Sequence, residues 1–264
     1  MANSYLNRTL GSPTNNYKWT YSFWIKRGKL GVEEAVAGAY SNGQNKSIML
    51  FRTDDQFEIM DLQSDSYVMQ KKTSRKFRDT SAWYHIVVTS DSSLGSPETK
   101  IYVNGVEETA FDTSNEYSQN QANLWNSALA NYIGSSDTSS RFLNGYICHM
   151  SFVDGSIVAP TSFGQTDSTS GIWKFKQPTG ITWGTNGFHL KFENSGALGT
   201  DSSGNSNNFT VNGNLKQALD TPSNVYATLN AIGFQSADNG QLSNGNTTFS
   251  SADSCLHNLT ISNL

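Results

Sequence analysis

The sequence predicts an all-β protein built from many short antiparallel strands, as a two-sheet sandwich or a barrel. Three observations lead there. Apolar and polar residues alternate with a period of two in segment after segment. Turn-forming residues punctuate these segments at near-regular spacing. No stretch longer than a turn or two carries a helical period. Of 264 residues, 36% are hydrophobic and only 15% charged, while 22 glycines and abundant Ser, Thr and Asn supply tight turns. Aromatic residues reach 12%, enough to give short strands a dense core.

The first clear strand is YKWTYSFWIKRG (17–28), ended by Gly28. It sets Trp19, Tyr21, Phe23 and Ile25 on one face and Lys18, Thr20, Ser22, Trp24 and Lys26 on the other. KSIMLFRT (46–53), QFEIMDLQ (56–63) and SYVMQKKT (66–73) follow, separated by Asp54-Asp55 and Ser64-Asp65. The basic run KKTSRKFRD (71–79) reads as a solvated edge or loop that discourages strand-to-strand association, with a phosphate or lipopolysaccharide contact as the alternative.

WYHIVVTSDSSLGSPETKIYVNGVEE (83–108) reads as a hairpin. Tyr84, Ile86 and Val88 share a face that Ile101 and Val103 can oppose, and Trp83, His85, Val87 and Thr89 form the other, near Tyr102. Both faces are largely apolar, which suits a central strand covered on both sides. Trp83 then belongs to the core, and His85 is a hydrogen-bonded interior histidine rather than a ligand.

ANLWNSALA (122–130) is the best candidate for a short helix. NYIGSS (131–136) and RFLNGYICHMSFVDGSI (141–157) supply later strands, the second ending at the turn Asp154-Gly155. The expected core comprises Trp19 or Trp24, Phe23, Ile86, Val88, Ile101, Val103, Ile147 and Phe152. Beyond Pro160 the chain is loop-like to 187, with aromatics that pin it onto a sheet, then gives two strands around a Gly/Ser/Asn loop (187–213).

A net charge of −4 argues against nucleic acid as a main partner, since phosphate binding needs a basic surface. No apolar run resembles a signal peptide or is long enough to span a membrane, so synthesis in a cytosol without classical export is expected. Cys148 and Cys255 match no metal spacing, and Cys148, inside an apolar strand, reads as a buried free thiol. His149, His189 and His257 have no paired spacing, so neither a metal centre nor a cofactor is expected.

Several of these segments resemble a known group. WYHIVVTSDSS and KIYVNGVEE are similar to the central hairpin of laminin-G-like, or concanavalin-A-like, jelly rolls. YSFWIKRG resembles their early strand, FLNGYICHMSFVDGSIVAPTSFG their late one, and GTDSSGNSNNFTVNG their Asp-x-Ser-Gly-Asn element. The resemblance runs through residues 5 to 215 and implies a two-sheet antiparallel jelly roll over 1–215, with 160–187 as a long loop packed on it. Residues 216–264 would then form an extended C-terminal segment, either an assembly arm or the start of a further β domain. The run from APTSFGQTDSTSGIWKFKQPTG through TNGFHLKF to DTPSNVYATLN is also similar to virion-associated proteins of marine bacteriophages.

Because glycosidases also use this fold, carboxylate spacing matters. One group of them sets carboxylates at i, i+2 and i+4 of one strand, on one face toward the sugar. Here Glu58 and Asp61 stand at i and i+3 and point to opposite faces, while Glu33-Glu34 and Glu107-Glu108 are adjacent. No nucleophile elbow, phosphate-binding loop or His-Glu-x-x-His motif is present. The expectation is a non-enzyme: a structural subunit of a phage particle, as a fibre, appendage or head decoration, with a carbohydrate-binding adhesin as the alternative. Its expected place is the virion, and its expected partners are other virion subunits, further copies of itself (a trimer among the options) and host-surface glycans. Trp173, Phe175, Trp183 and Tyr226 are candidate assembly contacts. Ca²⁺ near Asp154-Gly155 or Asp201-Ser202 would match many relatives, yet neither shows a multi-carboxylate series, so solvated turns are expected there.

Overall fold

A computed structural model of the chain describes residues 3–223, together with the strands at 241–243 and 248–250. Two antiparallel sheets face each other across one core. The first holds eight strands: β1 (Tyr5–Thr9), β3 (Glu34–Asn42), β4 (Asn45–Phe51), β5 (Gln56–Gln63), β6 (Ser66–Lys76), β10 (Phe111–Asn115), β11 (Ala130–Ile133) and β16 (Thr210–Asn212). Their spatial order is β10-β6-β5-β4-β3-β11-β1-β16. The second holds β2 (Lys18–Arg27), β7 (Tyr84–Asp91), β8 (Glu98–Val103), β9 (Val106–Glu107), β12 (Gly145–Asp154) and β15 (Phe188–Leu190), in the order β15-β12-β2-β7-β8-β9. A hairpin of β13 (Gly164–Thr166) and β14 (Trp173–Phe175) stands apart, as does the pair β17 (Gln241–Ser243) and β18 (Thr248–Ser250).

The alternation in β2 decides where its residues go. Trp19, Tyr21, Phe23 and Ile25 are fully buried between the sheets, beside Phe51, Phe57, Phe77, Trp125, Phe152 and Phe188. Tyr21 packs on Phe152 with ring centroids 4.6 Å apart. Each such side chain contributes about 1.5–3 kcal/mol by leaving water. In the hairpin, Ile86 lies opposite Val103 and Val88 opposite Ile101, all within the core. Ile147 is only partly buried against that core, and Trp24 faces away from it, into a second cluster with Trp83 and Cys148.

Three expectations need correction. Residues 122–130 are not helical: Asn123 Oδ1 accepts from the Asn126 N–H at 2.8 Å, and Asn126 Nδ2 donates to the Asn15 carbonyl and to Asp154. These side-chain bonds satisfy the backbone in place of a helix, and Trp125 is swallowed by the core. The basic run is no edge strand, because β6 lies between β5 and β10, and only part of it is solvated: Ser74, Arg75, Lys76, Arg78 and Asp79 are exposed. Lys71 and Phe77 are buried, and Lys71–Glu116 (2.6 Å), Lys72–Asp54 (2.5 Å) and Arg75–Glu108 (2.5 Å) pair the charges. Asp154 is not a solvated turn residue: it is buried and accepts from the Thr14, Asn15 and Asn186 N–H groups and from Asn126 Nδ2.

Candidate functional site

The site follows from the shortness of β15. Its Phe188, His189 and Leu190 pair with Phe152, Ser151 and Met150, and there the pairing stops. Phe192 then adopts φ 61°, a left-handed conformation that bulky residues seldom take. On the facing strand His149 has φ 47°, at a bulge where the register of β12 against β2 shifts between Cys148 and Ser151. A bulge bends its strand. The two backbones part, and the β12 segment from Gly145 to His149 borders a cleft of about 460 Å³.

Leu6 and Ile133 reach this cleft from the larger sheet, Tyr146, Ile147 and Cys148 from the smaller one, Leu143 from the connection between β11 and β12, and Trp83 from just before β7. Phe192, Glu193 and Leu198 line it from the loop after β15, and residues 215–221 from the chain after β16. Leu6 and Ile133 are almost fully buried, whereas Leu219 is 75% exposed, so the lining runs from core to entrance. Asp220 fastens the 215–221 strap. Its Oδ2 takes a buried ion pair from Lys26 Nζ at 2.7 Å, and its Oδ1 accepts from Trp83 Nε1 at 3.1 Å. Gln217 Nε2 ties the strap to the carbonyls of Phe192 and Glu193.

Burial pushes the Cys148 thiol up to about 12, so it is a neutral thiol and no nucleophile at pH 7. Burial, with nearby His189 and Lys191, pushes His149 down to about 4. Its ring lies flat on Phe175, centroids 3.6 Å apart. The cleft therefore offers aliphatic and aromatic surface, neutral polar groups and a few paired charges. That suits holding a ligand better than attacking one.

Of the residues singled out from sequence, Trp83 borders this cleft at 9% exposure. His85 is an interior residue with both nitrogens engaged. Nδ1 accepts from Trp173 Nε1 (2.9 Å), so Nε2 carries the proton and donates to Ser22 Oγ (2.9 Å). Trp173, Phe175 and Trp183 lie on the outer face of the smaller sheet, each stacked on a histidine: His85, His149 and His189 respectively. Trp173 sits in a slot that a Cβ on either Gly105 or Gly164 would invade, to within 2.5 Å of its ring. Phe188 is in the core, and Tyr226 lies outside the described residues.

Glu58 and Asp61 do point apart. Glu58 binds Arg52 and Gln70, and Asp61 accepts from Tyr117 Oη and the Leu124 N–H. Burial raises Asp61 to about 6. Asp201 organises its own loop by accepting from the N–H groups of His189, Ser203 and Asn207. Among the described residues no three His, Cys, Asp or Glu side chains gather as they would around a metal ion, and no helix is long and apolar enough to cross a membrane.

Sequence reasoning missed the cleft. Its walls come from residues 6, 83, 133–149, 191–198 and 215–221, and no local pattern links them.

No curated protein sequence matches the chain. Among solved structures, a heptameric SAP-like pentraxin from Limulus polyphemus is similar at 13% identity and a TM-score of 0.42, over 59% of this chain and 71% of the pentraxin. Domain 4 of an extracellular arabinanase from Geobacillus stearothermophilus, in complex with arabinotriose, gives 14% and 0.39, over 54% of this chain and 63% of that one. Domains of the mouse laminin alpha1 chain give 10% and 0.42, over 58% and 39%. The profile of the concanavalin A-like lectin/glucanases superfamily, in its laminin-G form, matches residues 2–161, and the chain belongs to that superfamily.

Proposed function

We propose that this chain is a non-enzymatic attachment module of a bacteriophage particle, and that the cleft beside Trp83 holds a host-surface glycan. The lining of the cleft carries this reading: the rings of Trp83, Tyr146 and Phe192 stand among Lys191, Glu193, Lys216 and Gln217. Sugar rings present C–H faces to aromatic groups and hydroxyls to such polar ones. Membership of a superfamily of lectins and glucanases supports a saccharide ligand.

Hydrolysis is disfavoured because glycosidases need two carboxyl groups, about 5–9.5 Å apart, flanking one bond. Both oxygens of Asp220 are engaged by Lys26 and Trp83, and Glu193 approaches Lys191 at 3.8 Å. The virion placement, with partner subunits and synthesis in a bacterial cytoplasm, rests on the likeness of residues 160–230 to marine phage proteins.

Binding of the purified chain to polysaccharides extracted from marine bacterial hosts tests this. At least one should bind, and Tyr146→Ala and Gln217→Ala should each weaken it about tenfold or more. Co-sedimentation with particles but no saccharide binding would leave only an assembly role. Release of reducing ends would make it an enzyme.

A further inference from the structure

We infer that the cleft takes a saccharide carrying an aliphatic chain, with the chain in the buried depth and the sugar at the entrance. This names the ligand class of the glycan site and rests on that reading. Depth and chemistry change together along the lining. Leu6 and Ile133, at 4% and 2% exposure, are the deep end, while Lys216, Gln217 and Leu219 are exposed. A sugar pushed into the deep end would lose water from its hydroxyls without regaining hydrogen bonds. An alkyl chain there gains affinity with every methylene removed from water, about fourfold each. The volume of about 460 Å³ lies within the ~300–1,000 Å³ usual for ligand pockets.

Backbone strain points to the same place independently. Among the described residues, six of the nine non-glycine positions with positive φ are Asp, Asn or Ser in turns and loops, where short polar side chains tolerate it, and the others are Arg141, His149 and Phe192. Phe192, the apolar one of these, lines this cleft together with His149. Such conformations persist where the surroundings hold them, and they cluster at ligand clamps. Charge at the entrance bears on the head group. Lys191 lies near Glu193 and Asp220 is bound to Lys26, so most charge is paired, and the exposed Lys216 adds one positive charge whose ammonium can donate to sugar hydroxyls.

Titration calorimetry of the full chain with glucose, decanoate, and hexyl, octyl and decyl β-glucosides below their micellar concentrations tests the inference. Affinity should rise about fourfold per methylene until the cleft is full. Decyl glucoside should exceed both glucose and decanoate by at least tenfold. Ala218→Trp, which narrows the cleft from the strap, should weaken decyl glucoside at least tenfold with the melting temperature unchanged. If that variant does not fold, Ala218→Leu, a smaller obstruction at the same place, should instead weaken decyl glucoside more than hexyl glucoside.

Affinity independent of chain length would overturn the inference and leave a sugar-only site standing. Equal binding of decanoate and decyl glucoside would overturn both the inference and the glycan reading. No binding at all would overturn the inference and leave the glycan reading to the polysaccharide experiment. Chain-length dependence unaffected by Ala218→Trp, or by Ala218→Leu where the first variant does not fold, would place the alkyl group elsewhere and overturn it too.

Discussion

Removing the Asp220 carboxylate should be among the most damaging single changes outside the main core. Lys26 Nζ and Asp220 Oδ2 are 2.7 Å apart, with side-chain exposures of 1% and 4%. Asp220→Ala leaves the ammonium buried with no counter-charge at that position and also strips the Trp83 indole N–H of its acceptor. Breaking one partner of a buried pair costs about 3–5 kcal/mol, and an orphaned neutral donor adds about 1–3 kcal/mol. Unfastening of the 215–221 strap would let water reach Lys26 and cap the total, so about 3–5 kcal/mol is expected. Lys26→Met with Asp220→Leu removes both charges and should recover most of that loss, since apolar replacement of a buried pair is often neutral. Urea unfolding of the parent, Lys26→Met, Asp220→Leu and the double variant closes the thermodynamic cycle. A cost for Asp220→Ala below about 1 kcal/mol, or a double variant no better than the worse single one, would refute the reasoning.

Trp83→Ala should cost about 3–5 kcal/mol in urea unfolding, and a fully stable variant that has lost only ligand binding would show a pure site residue. Trp173→Ala leaves His85 Nδ1 without its donor and should cost about 1–3 kcal/mol. Unchanged stability with an altered oligomeric state in size-exclusion chromatography would instead support the assembly-contact reading. The pH dependence has two opposing parts. Burial holds His85 at about 3 and His149 and His189 at about 4, so the folded state binds fewer protons than the unfolded. Their contribution is complete above about 6.5 and falls by about 1.4 kcal/mol per residue per pH unit below it. Asp61 at about 6 and Glu34 at about 7 work the other way, stabilising the fold at low pH and losing that contribution as pH rises through those values. Asp61→Asn with Glu34→Gln should therefore steepen the loss of stability between pH 7.5 and 5.5, measured by urea midpoints, and an unchanged slope would contradict this.

Strand periodicity made the sandwich legible because each inner face is written within one segment. The alternation in 17–28 and 83–108 separates core residues from outer ones, and Ile86–Val103 and Val88–Ile101 pair as the pattern requires. It also marked β7 as covered on both sides, and residues 158–183 supply the second cover through Phe163, Ile181 and Trp183. What stayed hidden depends on partners far away in sequence. Asp154 reads as a turn until Thr14, Asn15, Asn126 and Asn186 converge on it. Arg27 ends a strand, yet it is fully buried over the Phe51 ring and paired with Asp55. The cleft is the extreme case, because it exists where pairing ceases, and period-two patterns report only where strands run.

The position of β1 has a consequence for how the molecule is made. Its two neighbours are β11 and β16, so Leu6 waits for Ile133 on one side and Val211 on the other. At ribosomal speeds of about 5–20 residues per second, that first strand stays idle for roughly ten seconds before any partner emerges. Its brevity and its polar Asn7, Arg8 and Thr9 make it a poor template for other nascent chains in the interval. When β16 arrives, the Asn214 N–H meets Ser4 Oγ at 2.9 Å, and the two extremities of the larger sheet's chain path are stitched side by side.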